Sequence, residues 1–199
     1  MDNETLPSIE ALKAGDREAY AQLVELYSPK IYRLALRMID DPLEAEDILQ
    51  ETFMNAFRAI HKFEERSSLG TWLYRIATNQ ALMRLRKKSP TLVSVDDPIP
   101  GMDELDHSRE LVDWCCLPEE EYMSTEAHAQ LNAATQNLSP ALKAVFTLRD
   151  LHNLTTQETA QILEISESAV KTRLLRARLQ LRDELSAYFG ERVKEASDG

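Results

Sequence analysis

The chain has few of the residues that build sheets and cross-links. Glycine numbers only 5 in 199 residues, and proline 8. An all-β design needs turn residues at every hairpin, so this scarcity favours helices. Cysteine occurs twice, as the neighbours Cys115 and Cys116. Adjacent residues are poorly placed for an ordinary bridge, and two thiols cannot make a disulfide framework. A reducing, cytoplasmic compartment is the simplest expectation. No apolar run approaches the ~18 residues of a membrane span. Met1 to Gly15 is acidic and polar, unlike a signal peptide. Phosphate-binding glycine loops, HExxH pairs and nucleophile elbows are absent. The histidines His61, His107, His128 and His152 are scattered. His107, Cys115, Cys116 and His128 match no common zinc spacing. The chain is expected to be neither an enzyme nor a holder of a metal or cofactor.

What is abundant is acid. There are 34 Asp plus Glu against 23 Lys plus Arg, a net charge of −11. Nucleic-acid binders are usually basic, so the total argues against one. Partners feel local charge, however. Residues 1–89 carry a net −1, and so do residues 126–199. Residues 90–125 hold ten acids against Arg109 alone, a net −9. That segment also holds Pro90, Pro98, Pro100, Gly101 and Pro118. It is expected to be a linker between two near-neutral helical domains. Leu111, Val112, Trp114 and Leu117 form a small apolar cluster within it.

In the first domain, Asp16 caps a helix running to about Asp40, with Tyr20, Leu23, Val24, Tyr27, Ile31, Leu34, Ala35 and Met38 on one face. Asp41-Pro42 restarts a helix to about Ile60, with Glu44 at the capping-box position. Its buried stripe is Ala45, Ile48, Leu49, Thr52, Phe53, Ala56 and Ile60. The opposite face shows Asp47, Glu51, Met54 and Arg58, with Glu44 and Gln50 at the flanks. That face is either solvated or a docking surface for a basic partner. After the polar loop HKFEERSS, Ser67 or Ser68 caps a helix of Leu69 to about Lys88. Leu69, Trp72, Leu73, Ile76 and Met83 are expected inside. Thr71, Tyr74, Arg75, Thr78 and Leu82 are expected outside, with Asn79 at the margin. Arg84, Arg86, Lys87 and Lys88 end the helix. They suit its dipole, and equally a phosphate backbone with unstacked bases.

In the second domain, Ser139-Pro140 opens a helix through about Leu151. Thr155 caps the short helix TTQETAQIL, with Glu158 completing a capping box. Glu164-Ile165-Ser166 is a three-residue turn, and Ser166 caps a helix from Glu167 to about Tyr188. Small Ala160 at the crossing, with Leu163, Ile165 and Val170 in the joint, gives a helix-turn-helix pattern. Val170, Leu174, Ala177 and Leu181 form the buried stripe of the last helix. Ser168, Lys171, Thr172, Leu175 and Arg176 lie opposite, positioned to reach base edges in a major groove, while Arg173 and Arg178 flank them for phosphates. No acid interrupts 168–182. Glu164 occupies a turn position that favours positive φ, where a residue other than Gly costs about 1–2 kcal/mol.

Four stretches carry a family resemblance: AEDILQETF at 45–53, TWLYRIATNQ at 71–80, LRDLHNLTTQETAQIL at 148–163 and SAVKTRLLRARLQLR at 168–182. Together they resemble the extracytoplasmic-function (ECF) sigma factors, the small sigma-seventy-type initiation subunits of bacterial RNA polymerase. The resemblance implies an all-α chain: a sigma-two-like domain at 1–89, an acidic linker at 90–125 and a sigma-four-like domain at 126–199. It implies binding of the clamp helices of the largest polymerase subunit through Asp47, Gln50 and Glu51, and contact with the polymerase flap. It implies capture of the opened −10 element by Arg66, Ser67, Ser68, Thr71, Tyr74, Arg75, Asn79, Arg84, Arg86, Lys87 and Lys88. It implies −35 duplex readout by Ser168, Lys171, Thr172, Arg173, Leu175, Arg176 and Arg178. Met83 stands where many relatives carry Asp or Asn. No autoregulatory domain follows the second unit, so a separate anti-sigma factor is expected to control the protein. The linker is expected either to thread a basic polymerase channel as a nucleic-acid mimic or to serve as a solubilising tether. An ordinary helix-turn-helix repressor is the rival reading, and it has no use for the AEDILQETF face.

Overall fold

Asp16 ends a short turn and begins the longest helix of the first half, because its carboxylate accepts from the Ala19 N–H at 2.8 Å. The computed structural model describes residues 6–88 and 125–197, with side chains at 6–88 and 129–186. The linker segment, including Cys115, Cys116 and the Trp114 cluster, lies outside the described residues. Every regular element among them is helical.

Helix α1 spans Ile9–Lys13, α2 Arg17–Ile39, α3 Pro42–Ala59 and α4 Leu69–Lys88. Asp40 closes α2 in the left-handed region at φ 57°, and Asp41 opens α3 by accepting from the Leu43 and Glu44 N–H groups. Two consecutive acids thus act as stop and start. Ser68, rather than Ser67, caps α4 and accepts from the Thr71 N–H at 3.0 Å. Gly70 lies beneath the Tyr27 ring, and a Cβ there would stand 3.1 Å from it. Leu23, Ile31, Leu34, Met38, Ile48 and Leu73 close this core completely. Burying one such side chain is worth about 1.5–3 kcal/mol.

Helix α5 spans Thr125–Asn137, α6 Pro140–Phe146, α7 Thr156–Leu163 and α8 Glu167–Ser197. A widened π turn at Thr147–Leu151 continues α6. Thr155 and Glu158 form the expected reciprocal capping box. Glu164 ends α7 in the left-handed region at φ 55°. The stripe Val170, Leu174, Ala177 and Leu181 is buried against Leu138, Val145 and Phe146.

The two halves pack together. Ala144, Leu148 and Ile162 join the core of the first half, with Leu154 and Leu163 packed at its edge. Gln136 donates to the Arg37 carbonyl at 3.2 Å, and Arg37 donates to the Asn132 side chain.

This packing corrects the expected faces of α4. Thr71, Tyr74 and Thr78 are buried, whereas Met83 is 51% exposed. Helix α4 is covered on two sides, by α2 and α3 and by α6 and α7. A helix buried on two sides carries no single apolar stripe, so the assumption of one wet face misplaced these residues.

Candidate nucleic-acid interface

The loop before α4 and the first turns of that helix enclose a cavity of about 340 Å3. Its walls include Lys62, Phe63, Arg66, Ser67, Thr71, Trp72 and Arg75. Two features hold the loop in place. Lys13 of α1 donates to Glu65 at 3.0 Å, and Glu65 is in the left-handed region at φ 58°. Phe63 packs on Trp72 with centroids 5.1 Å apart. The cavity therefore joins aromatic walls with three cations and one acid, Glu64, which pairs with Arg66 at 2.8 Å; aromatic faces beside a cationic excess suit a base and its phosphate. Its size lies within the range of small-ligand sites.

Four residues expected at the −10 strand, Arg66, Ser67, Thr71 and Arg75, meet at this cavity. Ser68 is beside them as the helix cap, with its hydroxyl 2.8 Å from that of Thr71. Tyr74 is not there. It is buried under the second half, and its hydroxyl shares a hydrogen bond of 3.2 Å with His152 Nδ1. Burial pushes the Tyr74 hydroxyl up to about 12, and burial near Arg33 and Arg37 holds His152 down at about 4. Both are neutral at pH 7, as an interface without a counter-charge requires. Asn79 is exposed farther along α4.

The basic end of α4 lies apart from the cavity, nine residues or roughly 13 Å beyond Arg75 at 1.5 Å per residue. Arg84 bridges Asp47 at 3.5 Å and Glu51 at 3.0 Å, and Lys88 meets Glu44 at 2.7 Å. Arg86 and Lys87 are exposed. Asp47, Gln50 and Glu51 are all exposed on the outer face of α3, as the periodicity predicts. Arg84 relieves the like-charge cost of the Asp47–Glu51 pair.

On α8, Ser168, Lys171 and Thr172 are exposed, and Arg173, Leu175, Arg176 and Arg178 are half-buried. Arg178 is held by Asp150 through two bonds of 2.9 Å. The structure adds Lys62, Phe63, Glu64, Trp72 and Gln161 to the cavity wall. Phe63 was legible as the lone aromatic in a polar loop. Trp72 looked like core, and the position of Gln161 depends on how the halves pack.

Two family models match the chain in sequence order: Sigma-70 region 2 over residues 23–91 and Sigma-70 region 4 over residues 128–181. The ECF RNA polymerase sigma factor SigW of Bacillus subtilis is 37% identical over 177 residues, covering 89% of this chain and 94% of that protein.

The chain is an ECF sigma factor of the sigma-70 family.

As such, the sigma factor is an initiation subunit that directs RNA polymerase, and it is not an enzyme. The RNA polymerase sigma-H factor of Pseudomonas aeruginosa is 33% identical, with 85% of this chain and 88% of that protein covered. Among solved structures, CnrH in complex with the cytosolic domain of CnrY superposes with a TM-score of 0.65 at 20% identity, covering 90% of this chain and 95% of that one. RpoE in complex with the anti-sigma factor NepR from Bartonella quintana gives 0.62 at 22%, covering 84% and 96%. These two likenesses concern the fold. Among the described residues, no helix of the sigma factor is long and apolar enough to cross a membrane.

Proposed function

We propose that the sigma factor divides promoter recognition between its halves. The boundaries are a polymerase-binding and −10 domain at 1–89, an acidic linker at 90–125 and a −35 domain at 126–199. The observation that carries the reading is the outer face of α8. Ser168, Lys171 and Thr172 are exposed there, with Leu175 and Arg176 beside them, opposite a buried stripe. A helix seated by one face and cationic on the other enters a major groove with its free face. Lys171 and Arg176 supply base or phosphate contacts, Leu175 an apolar contact to a thymine methyl, and Arg173 a phosphate contact. Arg178 keeps the helix in place through Asp150.

In the first half, Asp47, Gln50 and Glu51 dock the clamp helices of polymerase, and the second half meets the flap. Bases leaving the duplex enter the cavity of Phe63, Trp72 and Arg75, with Arg66, Ser67, Ser68 and Thr71 at its mouth. Trapping them offsets a few kcal/mol of unstacking. Asn79, Arg86 and Lys87 follow the strand, with Arg84 and Lys88 joining when Asp47, Glu51 and Glu44 turn to polymerase. Each half offers few phosphate contacts, so free DNA binding is weak and salt-sensitive. Polymerase makes the second contact effectively intramolecular.

Two structural neighbours, CnrH and RpoE, were solved in complex with the cytosolic domain of CnrY and with the anti-sigma factor NepR, which supports control of this chain by a separate cognate protein in the cytoplasm of a bacterium. The acidic linker either threads the polymerase channel or acts as a tether, and a charge-neutral linker separates these by its effect on abortive synthesis and promoter escape.

Run-off transcription tests the reading. Adding the chain to core polymerase is expected to produce promoter-specific starts. Tight duplex binding by the chain alone, with no specific start, would instead support a repressor.

A further inference from the structure

The loop between the short turn at Ile60–Lys62 and α4 is held by side chains. Among the described residues, 64–67 take part in no backbone–backbone hydrogen bond. Phe63, Glu64, Arg66 and Ser67 all line the cavity, and Glu65 between them does not. An extended run would alternate, sending Phe63 and Ser67 to the same side as Glu65. The left-handed bend at Glu65, φ 58°, instead wraps the chain so that the residues on both sides of it reach the cavity. That bend disfavours any residue with a Cβ, so it persists only where the surroundings impose it. The imposing contact comes from behind the loop, where Lys13 holds the Glu65 carboxylate at 3.0 Å. Lys13 is delivered by a seated element. In α1, Leu12 is fully buried, and Ile9 and Ala11 pack on the core. Ser8 caps this helix by accepting from the Ala11 N–H at 3.3 Å. Gly15, at φ 81°, then turns the chain into α2.

We propose that Lys13 is a positioning residue for the opened strand: through Glu65 it holds the loop in the curved form that shapes the cavity, and so sets which base the cavity accepts. Neither side chain touches the base. Phe63 is fixed from the front by Trp72, with centroids 5.1 Å apart, and Glu65 is fixed from the back by Lys13. Between these two anchors Glu64 and Arg66 bond to one another at 2.8 Å at the cavity wall. A pocket discriminates only as sharply as its supporting contacts hold its walls. The Lys13–Glu65 pair is partly exposed, with 33% and 55% of the two side chains accessible. Its loss therefore loosens the loop modestly and leaves the fold in place.

The proposal rests on the reading of the cavity as a base pocket. It is tested in the reconstituted holoenzyme with a promoter library randomised over the −10 block, sequencing the transcripts to obtain the base preference at each position. Lys13→Ala and Glu65→Gln are each expected to weaken the −10 preference about two- to fivefold, with the −35 preference unchanged. The double variant is expected to lose no more than either single variant, because both remove one contact. Lys13→Arg keeps the pair and is expected to keep the preference. A folding defect would lower the yield from every promoter without changing which base is chosen. Unchanged preference in both single variants overturns the proposal. So do losses that add in the double variant, since they report two independent contacts, such as Lys13 on the strand itself. Arg66→Ala tests the underlying reading separately. An unaltered −10 preference in that variant overturns the base pocket, whereas relaxation there with none in Lys13→Ala overturns the positioning role alone.

Discussion

Removing the Asp150 carboxylate should unfold the second half more readily without touching any exposed face of α8. Asp150 lies in the π turn after α6 and accepts from Arg178 Nε and Nη2, each at 2.9 Å. The side chains are 13% and 24% accessible, so the pair is neither solvated nor fully buried. Exposed pairs contribute about 0–1 kcal/mol, whereas breaking a buried one costs about 3–5 kcal/mol. Two charge-assisted bonds at this accessibility place Asp150→Ala at about 2–3 kcal/mol, much of it from the guanidinium left unmatched. For a chain of this size that lowers Tm by about 5–10 °C. Calorimetry and urea unfolding of Asp150→Ala, Arg178→Ala and the double variant measure it. The pair's coupling in this cycle is expected to exceed about 1 kcal/mol. The reasoning is refuted if both single variants lie within about 0.5 kcal/mol of the parent while Arg178→Ala alone loses upstream promoter contact. Arg178 would then be a phosphate ligand, as its place in the sequence suggests.

Two further outcomes follow from the other half and the interface. Glu51→Gln should weaken association with core polymerase about three- to tenfold at low salt, an effect that shrinks as salt rises; its cost to folding should stay below about 1 kcal/mol, since its bond to Arg84 is near the surface. His152 has a folded pKa lowered to about 4 from 6.5, so the unfolded chain binds the extra proton between these values. Its contribution is present above pH 6.5 and is lost as pH falls toward 4, up to about 3 kcal/mol; His152→Gln should flatten that part of the stability profile, and an unchanged acid limb would contradict the assignment.

Much of this was legible in the chain itself. The caps Asp16, Asp41, Ser68, Thr155 and Ser166 are all used as helix starts, because a short polar side chain before an apolar period has a local function that no distant contact overrides. The stripes of α2 and α8 read correctly for a related reason: each helix has one buried side. Helix α4 did not. Thr71, Tyr74 and Thr78 are polar enough to look wet, yet they are buried. The surfaces that cover α4, Leu154, Ile162 and Leu163, lie more than 60 residues onward and read as the private core of another domain. The ion pairs Arg84–Asp47, Arg84–Glu51 and Lys88–Glu44 were hidden likewise, since charges assigned to two different partners proved to face one another. Glu164 shows the opposite case. It was visible as a misfit at its turn, and its partner Arg75 became visible only in three dimensions.

The division of labour between the halves is tested most directly by selecting promoters from a randomised library with the reconstituted holoenzyme and sequencing what is transcribed. The parent should yield two preferred blocks, one near −35 and one near −10. Arg176→Ala should relax the upstream block alone, and Arg66→Ala the downstream block alone. A single block, or two blocks that relax together in either variant, would contradict the account.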